Sequence, residues 1–228
     1  MVLAGLAGAC GGDSSPSAPT PLPTATPPPA LPDAQARYRV TFDATWTAAT
    51  HPMDFPTDPH FSPLIGGTHS DRVVFWAPGA IASPGIEAMA EEGQVSPFDS
   101  EIEVAIAAGT AEGFIRGGGI FPSPGTVSVE FQIGRDHPLV TLVAMIAPSP
   151  DWFIGVHDLS LIESGDWVNE RTVPLAPYDA GTDSGTTFRS RNSDTQPREA
   201  IHLLDGPPLE SGGMVAPFGT FTFVRLPS

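Results

Sequence analysis

The chain predicts a mostly-β fold: an antiparallel β-sandwich of about eight strands with two short helices, preceded by a disordered tether. Three observations predict it. Tyr38, Val40, Phe42, Ala44 and Trp46 alternate with Arg39, Thr41, Asp43 and Thr45, the period of a half-buried strand. Leu139 to Ala147 is almost continuously apolar, as expected for a central strand. Between such runs, Gly- and Pro-rich turns recur at a spacing of roughly 8–12 residues, which suits a sandwich or barrel.

The elements follow in chain order. The strand that begins at Arg37 gives way to a Pro- and His-rich loop, His51 to Pro63. Arg72 to Trp76 reads as a further strand. Ser83-Pro84 reads as an N-cap with proline at the first helical position, and Gly93 as the stop. Ile86, Met89 and Ala90 form that helix's inward face. Ser96-Pro97 opens a second helix by the same logic, with Asp99 at the capping-box position and Gly109 beyond its end. Its inward residues are Ile102 and Ile106. Val127 to Ile133, Leu139 to Ala147, Phe153 to Leu161, Trp167 to Leu175 and Gly219 to Leu226 complete the strands. Gly117-Gly118-Gly119 reads as a turn or bulge.

Composition narrows the function. The 228 residues carry 10 Lys plus Arg against 26 Asp plus Glu, a formal charge of -16. A nucleic-acid partner is disfavoured, because phosphate recognition leaves a basic footprint. Unaided docking on anionic lipid is disfavoured for the same reason. The single cysteine, Cys10, excludes an internal disulfide and a thiolate zinc site.

Residues 1–10 are small and apolar up to Cys10, and then break into Gly-Gly-Asp-Ser-Ser-Pro. This resembles a bacterial lipoprotein signal in which the cysteine becomes the lipidated N-terminus, although no Lys or Arg precedes the short apolar run. Residues 11–34, rich in Pro, Ser, Thr and Ala, read as an extended disordered linker. The expected arrangement is a domain over residues 35–228, tethered by lipid to the outer face of a bacterial membrane in the cell envelope.

Three aspartates carry the candidate chemistry. Asp151 lies in Pro148-Ser-Pro-Asp-Trp-Phe-Ile-Gly155, and Asp179 and Asp183 lie in Tyr178-Asp-Ala-Gly-Thr-Asp-Ser-Gly185. Both segments are turn-rich, so both belong at strand ends. Loop carboxylates that converge suit a hard cation, and calcium takes six to eight oxygens. Calcium fits better than zinc or copper, because no histidine lies beside them. The plain alternative is Asx-turn chemistry, in which each carboxylate accepts bonds from its own loop. Trp152, next to a candidate ligand, is a candidate for a binding rim. His51, Asp54, Asp58 and His60 match no recognised metal spacing, and His69 reads as a hydrogen-bonding turn residue. Asp183-Ser184-Gly185 superficially matches protease triplets, but it lacks their flanks and partners.

Taken together, several blocks resemble the spondin amino-terminal domain family. They are Tyr38 to Trp46, His51 to Pro56, Phe61 to His69, Trp76 to Ser83, Ala90-Glu-Glu-Gly93, Pro148 to Gly155 and Tyr178 to Gly185, in that order along roughly residues 35–226. The resemblance implies an eight-stranded sandwich, similar in plan to calcium-dependent lipid-binding sandwiches. It implies a calcium ion held by Asp151, Asp179 and Asp183, and a non-catalytic role. In animals the family occurs in secreted matrix and adhesion proteins, so the expected partner is an extracellular protein or glycan. Animal members carry disulfide cysteines in and around this domain, which residues 35–228 lack, so their adhesion partners are not carried over. Two other readings stay open: a metal-dependent hydrolase that uses the acidic loops, and a carbohydrate- or small-molecule-binding lipoprotein.

Overall fold

The computed structural model describes residues 33–227. The signal segment 1–10 with Cys10, and all but the last two residues of the 11–34 linker, lie outside the described residues. Those last two are tied to the domain: Arg225 pairs with the Asp33 carboxylate, and Arg135 N–H donates to the Ala34 carbonyl at 3.0 Å.

In chain order the strands are β1 (Gln35–Ala44), β2 (His60–Phe61), β3 (Ile65–His69), β4 (Ala111–Arg116), β5 (Gly125–Gly134), β6 (Leu139–Ala147), β7 (Trp152–Ser160) and β8 (Ile162–Glu163). They continue with β9 (Asp166–Trp167), β10 (Glu170–Pro174), β11 (Pro177–Asp179), β12 (His202–Leu203), β13 (Glu210–Ser211), β14 (Met214–Val215) and β15 (Gly219–Arg225). Helices α1 (Pro84–Glu92) and α2 (Phe98–Ala107) fall between β3 and β4. Eight of the strands have five residues or more, and they divide four and four. One sheet runs β10-β15-β1-β5; the other holds β7-β6-β3-β4, extended by β11 and β12. Every pairing in both is antiparallel.

Three layers result. Tyr38, Val40, Phe42, Phe221 and Phe223 from the first sheet meet Leu142, Ala144, Ile146 and Ile154 from the second in the main core. On the second sheet's other face, Val143, Met145 and Phe153 pack under Ile86, Met89, Phe98 and Ile102 of the helices. Strand β6 is thus covered on both faces, which explains its unbroken apolar run. The alternation in β1 holds, with every inward residue buried.

Helix α1 is capped as its sequence predicts. Ser83 Oγ accepts from Ile86 N–H at 3.2 Å, and Gly93 ends the helix at φ 65. Helix α2 departs from expectation. Its N-cap is Pro97, with no side-chain cap bond, and Asp99 Oδ1 accepts from Ser100 N–H at 2.7 Å instead. Its buried face is Phe98, Ile102 and Ala105.

Arg72 to Trp76 is not a strand. Phe75 and Trp76 are buried against the helix-side core from an irregular segment, so packing rather than pairing accounts for their apolar character. Strand β3 went unpredicted, because Gly66-Gly67 erases its alternation. Glycine is required there: a Cβ on Gly66 would lie 1.9 Å from the Thr141 carbonyl oxygen.

Candidate metal centre

The three candidate aspartates lie at one end of the second sheet. Asp151 immediately precedes β7, and Asp179 closes β11, paired in register with Trp152. The Ala180 N–H donates to the Asp151 carbonyl at 3.2 Å, which holds the two loops together. Asp183 follows one tight turn later, with Gly181 at φ 74 supplying the bend.

The carboxylate of Asp151 has no solvent exposure. Its Oδ2 accepts from Thr182 N–H at 2.8 Å, Asp183 N–H at 3.0 Å and the Thr182 hydroxyl at 3.2 Å. Its Oδ1 is buried and has no partner among the described residues. Burial pushes the Asp151 pKa up to about 6, and the Asp179 carboxylate adds to the rise, despite the opposing N–H donors. The Asp179 pKa is raised too, chiefly by burial, against the Gly181 N–H, His202 and Trp152. Asp179 Oδ1 accepts from Gly181 N–H at 2.8 Å, and His202 Nδ1 stands 4.0 Å away, beyond hydrogen-bond distance. The structure therefore brings the fully buried Asp151 carboxylate beside the partly buried Asp179 carboxylate, with the exposed His202 4.0 Å from the latter.

Asp183 has a different job in this geometry. Its Oδ1 accepts from Gly185 N–H at 2.7 Å and its Oδ2 from Ser193 N–H at 2.8 Å, so it ties the loop 184–193 at both ends. It is linked to Asp151 through its own backbone N–H. Among the described residues no three His, Cys, Asp or Glu side chains group closely enough to hold an ion by themselves. The Asx-turn chemistry and the convergence of acids are thus both present, divided among the three residues.

Trp152 does not form a rim. It is 2 % exposed, and its ring stacks edge-on against Phe188 at 5.1 Å inside the core. Its position after Asp151 turns it inward, because β7 starts there and points the side chain between the sheets. Two nearby residues were not legible beforehand. Glu91 of α1 has its pKa raised by burial, opposed by Thr182, with Glu87 and Asp183 adding to the rise. Arg198 donates to the Thr182 carbonyl at 2.8 Å and pairs with Glu87 and Asp194, so it braces the same loop from outside. Glu91 falls in the short block Ala90-Glu-Glu-Gly93, which had marked the position without showing what it faces. Arg198 had no signal, because its partners lie as far as 111 residues away.

His69 is not a turn residue either. It sits within β3, wholly buried, with Nδ1 2.9 Å from the Ser70 carbonyl and Nε2 2.8 Å from Thr141 Oγ1. His51 is also buried and contacts the Ala216 carbonyl at 3.1 Å, which removes it from any surface cluster with Asp58.

A two-sheet antiparallel sandwich with a helical layer, and with neighbouring acids where its loops meet, defines the class of β-sandwich module to which the chain belongs. The Spondin_N family model matches residues 36–208, and the chain is a member of that family. It is 39% identical over 178 residues to Spondin-1 of Rattus norvegicus, across 74% of this chain and 22% of that protein. It is 36% identical over 177 residues to Spondin-2 of Homo sapiens, across 74% of this chain and 52% of that protein. With Spondin-2 of Rattus norvegicus the figures are 33% over 212 residues, 84% and 62%. The chain thus spans less than two thirds of the length of each of these relatives.

Proposed function

We propose that the chain is a non-catalytic extracellular recognition module whose loop end is ordered by calcium. The observation that carries this reading is the partnerless, fully buried Asp151 Oδ1 beside the partly buried Asp179 carboxylate. Two like charges in a dry site destabilise each other unless one takes a proton or a cation joins them. The sequence placed no histidine beside these acids, but the pairing of β11 with β12 brings His202 within 4.0 Å of Asp179; the donors around Asp151 are carboxylate and backbone oxygens, which suit a hard cation. Asp151 and Asp179 would hold it, with Asp183 fixing the loop between them and carbonyls or water completing the shell. Bound calcium would neutralise the pair and lock the β6–β7 and β11–β12 loops in place.

A metal-dependent hydrolase fits less well. Asp151 is sealed from solvent, and its occupied oxygen is committed to backbone N–H groups rather than to a general acid or base. The family's occurrence in secreted animal proteins supports an extracellular setting. The N-terminal resemblance supports a lipid anchor through Cys10 in the cell envelope. Mass spectrometry of the membrane-extracted protein tests the anchor: a diacylglyceryl mass on Cys10 is expected, and an unmodified thiol counts against it.

Calorimetric titration with calcium tests the ion. Saturable binding to the intact protein, lost in Asp179→Ala, is expected. The absence of heat at millimolar calcium would reduce the trio to turn residues.

A further inference from the structure

All ten basic residues of this chain are arginines; it contains no lysine. Five of them, Arg37, Arg39, Arg171, Arg198 and Arg225, are in ion pairs. Arg72 and Arg135 are spent on backbone carbonyls. Arg116, Arg189 and Arg191 have neither kind of partner among the described residues, and all three are exposed. Two of these three are two residues apart, on the loop that Asp183 clamps. Ser184 to Ser193 contains Arg189 and Arg191 and no acid, an island of positive charge on a chain of formal charge -16.

The island is held in shape. Phe188 anchors it, 2 % exposed and packed on Trp46 and Trp152. Thr186 and Thr187 N–H both donate to Ser190 Oγ, at 3.1 and 3.0 Å, and Ser190 N–H closes a turn on the Thr187 carbonyl at 3.1 Å. Asp183 holds both ends through Gly185 and Ser193. Arg189 sits within that turn and Arg191 just after it. Exposed guanidinium groups on a pre-ordered backbone lose less entropy on binding than groups on a mobile loop.

We propose that the loop Ser184–Ser193 is a docking site for an acidic peptide segment of a partner protein, read by Arg189 and Arg191. The guanidinium fork matches a carboxylate in bidentate geometry. The ligand must be locally acidic rather than a long polyanion. Beyond a Debye length of about 8 Å from the loop, an extended polyanion would meet a surface of its own sign. A glycan is disfavoured at this loop because sugar recognition favours an exposed aromatic face, and the loop's one aromatic ring, Phe188, is buried. The proposal uses the loops of the proposed calcium site but does not depend on the ion.

The test is binding of a labelled decapeptide with three Glu among Ser and Gly to the full chain, read by fluorescence anisotropy. It is run with about 1 mM calcium present, so an unfilled cation site cannot explain a negative result. Arg189→Ser and Arg191→Ser should each weaken binding about threefold or more, and the double variant about tenfold or more. Arg116→Ser, which removes the same charge elsewhere, should leave affinity within about 1.5-fold. Circular dichroism of every variant should match the parent, because none of the three side chains is buried. Equal weakening by Arg116→Ser would show diffuse charge rather than a site. No peptide binding, or saturable binding of an acidic oligosaccharide alone, would overturn the proposal.

Discussion

Strand β7 has a buried carboxylate oxygen without a partner at each end, and the two ends resolve it differently. At the start, Asp151 Oδ1 lies near another acid, Asp179. At the far end, Asp158 Oδ1 is also partnerless, but it lies 3.7 Å from Nε2 of the buried His69. The Ser70 carbonyl can only accept, so Nδ1 of His69 carries the proton and Nε2 accepts from the Thr141 hydroxyl. Burial keeps the His69 pKa below its ordinary value, against the pull of the Ser70 carbonyl and Asp158. The Asp158 side chain is about one-third exposed and has the rings of His69 and His157 beside it, so water and neighbouring imidazoles meet its charge. At the other end the exposed His202 stands 4.0 Å from Asp179, on the outer acid of the pair, so the relief left for the sealed Asp151 is a bound proton or a cation. The same strand thus separates a self-contained polar cluster from a site that calls for an outside ion.

The largest effect should come from Asp151→Ala. It strands two N–H groups and a hydroxyl in a dry site, so a loss of about 4 kcal/mol is expected. That loss should be measurable by urea unfolding in chelator, and the protein should gain nothing further from calcium. His69→Ala at the other end should lose about 3 kcal/mol through a cavity and an unsatisfied Thr141 hydroxyl. Its loss should be equal in calcium and in chelator, and a calcium-dependent loss would break the distinction between the two ends.

The pH dependence is next in size. Because the folded pKa of Asp151 is raised from 3.8 to about 6, the folded state binds the extra proton between those values. In chelator this group's contribution should therefore fall as pH rises from about 4 to 6, by on the order of 2–3 kcal/mol. In calcium the fall should shrink, because the cation replaces the proton. The smallest effect is expected from Asp151→Asn. Its amide oxygen can keep the Thr182 and Asp183 N–H bonds while its NH2 faces Asp179. In chelator at neutral pH it should be unchanged or stabilised by up to about 1 kcal/mol, with no response to calcium.

Legibility followed locality. The alternation of β1, the double burial of β6 and the caps of α1 are written in neighbouring residues, and they were readable. Asp151, Asp179 and Asp183 were readable as acids in turns, but the division of labour was not. Whether an oxygen meets an N–H or another carboxylate depends on how β7 and β11 pair. Trp152 looked like a rim residue because it follows a loop acid; the start of β7 turns it inward. Strand β3 was hidden by the glycines that its close approach to β6 requires. The His69–Asp158 cluster joins residues 89 positions apart, and no local pattern announces it.

The most direct test is thermal unfolding of the wild type, Asp179→Asn and His69→Gln at neutral pH, each in millimolar calcium and in chelator. The account predicts that calcium raises the Tm of the wild type and of His69→Gln by similar amounts and leaves Asp179→Asn unmoved. A wild type indifferent to calcium, or an Asp179→Asn variant that still responds, would contradict it.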